Sequence, residues 1–340
     1  MATRSCLLYA FLLLVAFQSS MIMANTVIHT PQCRPVAASS KDKILFSMNL
    51  LIYKAEFFLR ASVGVGINGI SPGLVQGPVP IGATLANITN SARRVIEELG
   101  LATVGHLRAI KQVLRPSNLP FQGPQLDLSA QVFAGFVNLG FNVSTLSPPF
   151  NIYANTPSFV LAAEAISAFI VQYYAGIIPS IVGDEQRQVT TFSSFHSFES
   201  NLESLPSLFF LFSWWLESGS TRQQHLEFSE QYLTMGSIQQ CRHTHSQWRN
   251  SPTVLQKWLI DLGGCGVKDE GLIVPFQLGA ENRTTSNVVP GDVNSLAHAR
   301  FEREILRIVF GTGNATMPGG LFPDGFIGVL YQLIINLKLS

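Results

Sequence analysis

Residues 99–110, LGLATVGHLRAI, set a single histidine, His106, in the middle of a long apolar-periodic stretch. Working outward, Val95, Leu99, Ala102, His106, Ala109 and Val113 recur at steps of 4, 3, 4, 3 and 4, the spacing of one helical face. Thr89-Asn90-Ser91 offer a start signal and Pro116 a stop. The helix ends near Leu114 and spans about 40 Å, the length of a bundle helix rather than of a crossover between strands. His106 lies on its buried seam, where it is either a metal ligand or a core histidine held by hydrogen bonds.

A second stretch has the same period. Ile44, Met48, Leu51, Ala55, Phe58 and Ser62 step by 4, 3, 4, 3 and 4 behind the capping residues Ser39-Ser40-Lys41-Asp42, with Glu56 on or beside the apolar face. A third helix is expected within 159–182, apolar almost throughout, with Glu164 its one charged residue. That run is long enough to cross a bilayer, but Glu164, Gln172, Pro179 and the lack of a basic flank favour a buried bundle helix. A short amphipathic helix is expected at 129–138. Between the first two helices, Gly64-x-Gly66-x-x-Gly69 has the form of a dinucleotide fingerprint. It follows a helix and runs into Pro72, so it reads as a loop.

Three helices thus carry polar groups on apolar faces. In ferritin-like bundles two helices each give a Glu and two each give a Glu-x-x-His, because carboxylates bridge a metal pair and imidazoles cap it. The expected fold is all-α, a ferritin-like helical bundle over 41–235 followed by a loop-rich region, 259–340, with one short helix at Glu302–Phe310. The candidate ligands are Glu56, His106, Glu164 and Glu217, and iron or manganese is the metal such a set would take. Thr103 stands where Glu-x-x-His needs its acid and Ser220 where the fourth helix needs its histidine, so the set reads as a degraded site with no cofactor expected. No catalytic residue is assigned: there is no His-Glu-x-x-His, Gly-x-Ser-x-Gly or P-loop.

Composition agrees with a large core. Of 340 residues 47% are hydrophobic and 13% charged, and a net charge of +1 without basic runs argues against a nucleic-acid partner. Residues 1–24 have the parts of a secretory signal: Arg4, an apolar run over 6–17, and a polar break before Ala24. Sequons at Asn87, Asn142, Asn282 and Asn314 fit an exported glycoprotein. Once Cys6 leaves with the signal, Cys33, Cys241 and Cys265 remain. Cys33 and Cys265 are the expected pair, since each sits in a Gly/Pro-punctuated segment beside the apolar body.

Residues 184–258 break the pattern. Their Phe, Ser and Leu content, followed by a Gln/His/Arg-rich part, reads either as a retained intron or frame shift, or as a variable insertion. Cys241-Arg242-His243-Thr244-His245 groups ligand-type residues there without completing a zinc set. Asp269 and Glu270 read as a solvated turn. Either the 159–182 run or the apolar tail 326–339 would serve a membrane-anchored alternative.

Several blocks in order resemble one family: Ala55-Glu56-Phe57-Phe58, Val104-Gly105-His106-Leu107-Arg108-Ala109-Ile110, Leu146-Ser147-Pro148-Pro149-Phe150, Lys268-Asp269-Glu270-Gly271-Leu272-Ile273-Val274-Pro275, and Glu304-Ile305-Leu306-Arg307-Ile308-Val309 with Gly311-Thr312-Gly313. Over roughly 41–183 and 260–325 the chain is similar to plant desiccation-related proteins with a ferritin-like domain. The resemblance implies a secreted, apoplastic, stress-associated bundle without an established catalytic activity, whose partners would be cell-wall or apoplastic components. Family members commonly carry Gln-Glu-Val-Gly-His where Ala102-Thr103-Val104-Gly105-His106 stands here, and Tyr-Leu-Glu where Ile52-Tyr53-Lys54 stands. Both departures remove carboxylates. In the fourth helix Glu217-Ser218-Gly219 fits the family pattern and Ser220-Thr221-Arg222 departs from it.

Overall fold

In a computed structural model of the chain, the described residues are 33–114, 120–194, 254–266, 281, 292 and 294–337. Helix α1, Ser40–Val63, starts at Ser39, whose hydroxyl accepts the Asp42 amide at 3.2 Å and donates to the Asp42 carboxylate at 2.6 Å. It ends at Gly64, left-handed at φ 77°, where a side chain would be strained. Residues on all its sides are buried, so α1 is the core helix around which the others pack.

A one-turn helix α2, Ile67–Ile70, and strand β1, Val75–Gln76, lead to α3, Asn90–Leu114. Strand β2, Phe121–Gln122, pairs in parallel with β1, setting Val75 opposite Phe121. Helix α4, Ala130–Phe141, is capped by Ser129, and α5, Thr156–Ile177, by Asn155, whose side chain accepts the Ser158 amide at 2.9 Å. A 3-10 turn, Ile178–Ser180, and helix α6, 184–194, follow. Beyond them lie α7, Val254–Gly263, α8, Glu302–Phe310, and α9, Val329–Asn336.

The three long helices share one core. Arg93 of α3 donates to the Ser62 carbonyl at 2.7 Å, and a Cβ on Gly100 would come within 2.8 Å of Leu59. α3 therefore runs antiparallel to α1, in contact too close for a side chain at Gly100. On another side of α1, Phe57 stacks on Phe159 at 4.7 Å and Phe46 meets Tyr173 at 5.1 Å, so α5 is antiparallel to α1 as well. Thr156–Ser180 is long and apolar enough to cross a membrane, and 61% of its most apolar window is buried inside the protein.

The C-terminal region holds more helix than the one segment read from sequence: α7 and α9 join α8. Trp258 of α7 stacks on Phe136 of α4 at 4.3 Å. The tail closes on α1 through Asn49, whose amide nitrogen donates to the Ile327 carbonyl at 3.0 Å and whose oxygen accepts the Ile327 amide at 2.9 Å. Phe326, Leu330 and Ile334 are buried there, so the apolar tail is in part a core element.

Candidate functional site

Besides Lys43 near its start, helix α1 carries two buried charges close together, Lys54 and Glu56. Two residues apart, they project about 200° from each other around the helix and cannot serve one site. Glu56, read from sequence as a ligand, is instead occupied at the corner between α1 and α2. Its Oε2 accepts from Arg60 Nε at 2.5 Å and its Oε1 from the Ile67 amide at 2.9 Å. Glycine at 66 makes room for it, since a Cβ there would lie 2.1 Å from Oε2. Both oxygens are spent on an ion pair and on the first amide of α2.

The other side of α1 presents Lys54, 2% exposed, with its ammonium 5.7 Å from the centre of the Phe58 ring. Desolvation by burial pulls its pKa down to about 7. On α3, His106 is buried, and one turn before it the Thr103 hydroxyl donates to the Leu99 carbonyl at 2.7 Å. Threonine here bonds its own helix rather than a ligand. Glu164 is half-buried on α5, and Glu217 lies outside the described residues. Among the described residues no three His, Cys, Asp or Glu side chains gather at metal-binding distance. A di-metal centre needs acidic residues facing one another, and α1 supplies a cation on one side and an engaged carboxylate on the other. The donor set does not fit the metal pair of a ferritin-like centre.

The densest polar grouping lies elsewhere, and the sequence reading missed it. Arg300 is fully buried: its Nε donates to Gln172 Oε1 on α5, its backbone amide donates to the Gln172 carbonyl at 2.9 Å, and Nη1 pairs with Glu304. Glu302 Oε2 accepts the Val36 amide at 3.0 Å, while its buried Oε1 has no hydrogen-bond partner among the described residues, and desolvation holds its pKa above the usual carboxylate value. Arg307 donates to the Gly263 carbonyl at 2.8 Å and to Cys265 Sγ at 3.0 Å. Cys265 is joined to Cys33 by a disulfide. The five charged residues Arg300, Glu302, Arg303, Glu304 and Arg307 look like a solvated helix face in sequence, and only the close packing of α5 and α7 reveals that four of them are buried.

The sequons differ in setting. Asn87 is exposed and its side-chain amide donates to the Ala154 carbonyl at 3.1 Å. Asn142 is exposed at the C-cap of α4, left-handed at φ 56°. Asn314 Oδ1 accepts from the Thr316 amide and hydroxyl at 3.0 and 2.9 Å. Asn282, the Cys241–His245 group, and Asp269 and Glu270 lie outside the described residues.

A family model described as a ferritin-like domain matches residues 41–203. The chain is 32% identical over 329 residues to ferritin-like catalase Nec2 of Nesocodon mauritianus, covering 93% of this chain and 96% of that protein. It is 29% identical over 306 residues to desiccation-related protein PCC13-62 of Craterostigma plantagineum, covering 89% and 88%. No solved structure matches. A helical bundle whose core helix is crossed by two antiparallel partners, matched along nearly its whole length by such relatives, belongs to the plant ferritin-like family that includes the desiccation-related proteins.

Proposed function

We propose that this protein is a secreted, non-catalytic member of the family, acting outside the cell in desiccation or related abiotic stress as a stable helical scaffold. The observation that carries the reading is the state of α1: Lys54 is buried on one side, and Glu56 is spent on Arg60 and Ile67 on the other. A cation in the core disfavours binding of further cations by direct repulsion. Secretion rests on the signal-like residues 1–24 and the sequons, and the partners it suggests are cell-wall or apoplastic components.

A second reading is favoured by one observation, the 32% identity over 93% of the chain to a protein named a catalase. It would have the protein convert two hydrogen peroxide to two water and one dioxygen. One pair of measurements separates the two: elemental analysis of protein purified from the medium of a plant expression host, and an oxygen electrode after peroxide addition. The scaffold reading expects no stoichiometric iron or manganese and no oxygen above a heat-treated control. Two metal equivalents per chain with sustained oxygen release would overturn it in favour of the catalase. Recovery only from detergent-extracted membranes would overturn secretion in favour of an anchored protein.

A further inference from the structure

The three sequons among the described residues are not equivalent once the fold is in place. At Asn87 the motif is used by the fold: the side-chain amide donates to the Ala154 carbonyl at 3.1 Å, and the Thr89 hydroxyl accepts the Ala92 amide at 3.4 Å in the first turn of α3. At Asn314 the motif folds on itself. Its Oδ1 accepts both the amide and the hydroxyl of Thr316, and the central residue, Ala315, is buried. Asn142-Val143-Ser144 differs, because all three residues are exposed and neither the Asn142 side chain nor the Ser144 hydroxyl is engaged among the described residues.

The backbone of this turn is held from within. The Asn142 amide donates to the Leu139 carbonyl at 3.0 Å, the Val143 amide to the Asn138 carbonyl at 3.0 Å, and the Asn138 side chain accepts the Leu146 amide at 3.1 Å. Asn142 closes α4 with a left-handed backbone, φ 56° and ψ 44°, which asparagine adopts more readily than most residues with a side chain. Capping accounts for the asparagine. It does not account for Ser144 two positions on, nor for Leu139 and Val143 on either side of the cap, which are 49% and 41% exposed.

We propose that Asn142 carries an N-linked glycan and that its first sugar covers Leu139 and Val143, an inference that rests on the reading of the protein as secreted. The donor is an oligosaccharide joined through C1 to a polyprenyl pyrophosphate, and a transferase of the secretory route moves it. The C1–oxygen bond breaks with its electron pair leaving on the pyrophosphate, Nδ2 of Asn142 bonds to C1, and a proton from Nδ2 passes to a base of the transferase. Nothing is oxidised or reduced. Leu139 precedes Asn142 by three residues, so the two are neighbours on the helix surface, and Val143 follows directly. A pyranose has C–H groups on its faces and hydroxyls around its edge. Laid over the two aliphatic side chains, it takes their apolar surface from water and offers hydroxyls in its place. The fixed cap roots the sugar at that end of α4.

The test uses the full chain made in a plant expression host, collected from cells and medium, digested and read by peptide mass, with residues 1–24 sought in the same digest. The expected result is glycan mass on the peptide that contains Asn142, in a chain without residues 1–24. Ser144→Ala keeps the asparagine cap and is expected to lose that glycan mass. It should also bind more anilinonaphthalene sulfonate than the wild type, and lose the excess when Leu139→Gln and Val143→Gln are added. A bare Asn142 in a chain that has lost residues 1–24, or that carries sugar at Asn87 or Asn314, would overturn the proposal and leave secretion standing. A chain that keeps residues 1–24 and carries no sugar at any sequon sinks the secretion reading and the proposal with it. Equal dye binding by Ser144→Ala and the glycosylated wild type would refute the covering of Leu139 and Val143.

Discussion

Arg300, two residues ahead of α8, and Glu304 in its first turn pair their charges where neither side chain is exposed to solvent. Gln172 holds the same guanidinium from α5, so the start of α8 is locked to a long core helix by charge-assisted hydrogen bonds. Removing one partner strands the other. Glu304→Ala is expected to cost about 3–5 kcal/mol, because it leaves an uncompensated guanidinium in the interior. The double variant Arg300→Met/Glu304→Leu should cost less than that single change, since neither charge of the pair remains. Urea unfolding followed by circular dichroism checks the order, and a double variant weaker than Glu304→Ala would refute it.

Lys54 makes stability depend on pH in the direction opposite to that of a salt-bridged lysine, whose folded-state pKa is raised. Burial lowers its pKa from 10.5 to about 7, so below pH 7 both folded and unfolded chains carry the proton and the cost of burying the ammonium is felt in full. Between pH 7 and 10.5 the unfolded chain holds more protons, and stability rises with pH. Lys54→Met removes the charge while keeping the volume. It should stabilise the fold by about 4 kcal/mol at pH 6, a gain that fades as pH approaches 10. Parallel urea titrations at the two pH values give the answer, and a constant difference would show that Lys54 does not titrate in this window.

Glu302 behaves in the complementary way. Desolvation raises its folded-state pKa above the unfolded value of 4.5. Its contribution to stability is fully present below the unfolded pKa and is lost as pH rises through the folded one. Glu302→Gln keeps an oxygen for the Val36 amide and no longer ionises. It should match the wild type at pH 4 and exceed it in thermal midpoint at pH 7, and a variant less stable at pH 7 would mean that the charge itself is stabilising.

Long helices were legible in the sequence because period, caps and length agree. The steps from Ile44 to Ser62 and from Val95 to Val113, with Ser39 ahead of the first and Pro116 behind the second, describe α1 and α3 closely. α9 was not legible, since Gly328 gives it no side-chain cap and its eight residues are too few to display a period. Candidate ligands suffered from a different limit. A stripe two or three residues wide places Glu56 near the apolar face, but it does not say which neighbour that side meets, and here it meets Gly66 and Arg60 rather than α3. Lys54 was visible as a departure from the family pattern. Its burial became evident only with Phe58 and the surrounding helices in place.

The corner between α1 and α2 offers a sharper check on the role of Glu56. Gly66 has φ −94°, a conformation open to alanine, so Gly66→Ala introduces no backbone strain. Its methyl would instead occupy the position of Glu56 Oε2, 2.1 Å away, and drive the carboxylate from Arg60 and from the Ile67 amide. The expected cost is about 2–3 kcal/mol, a charge-assisted hydrogen bond with part of a buried ion pair. Glu56→Ala alone should cost a similar amount by removing the same contacts. Combined, the two changes should cost well under their sum, because the second removes the group with which the first collides. A thermal or urea double-mutant cycle measures this coupling. Additive losses would show that Gly66 and Glu56 act independently, and would reopen the carboxylate to other work.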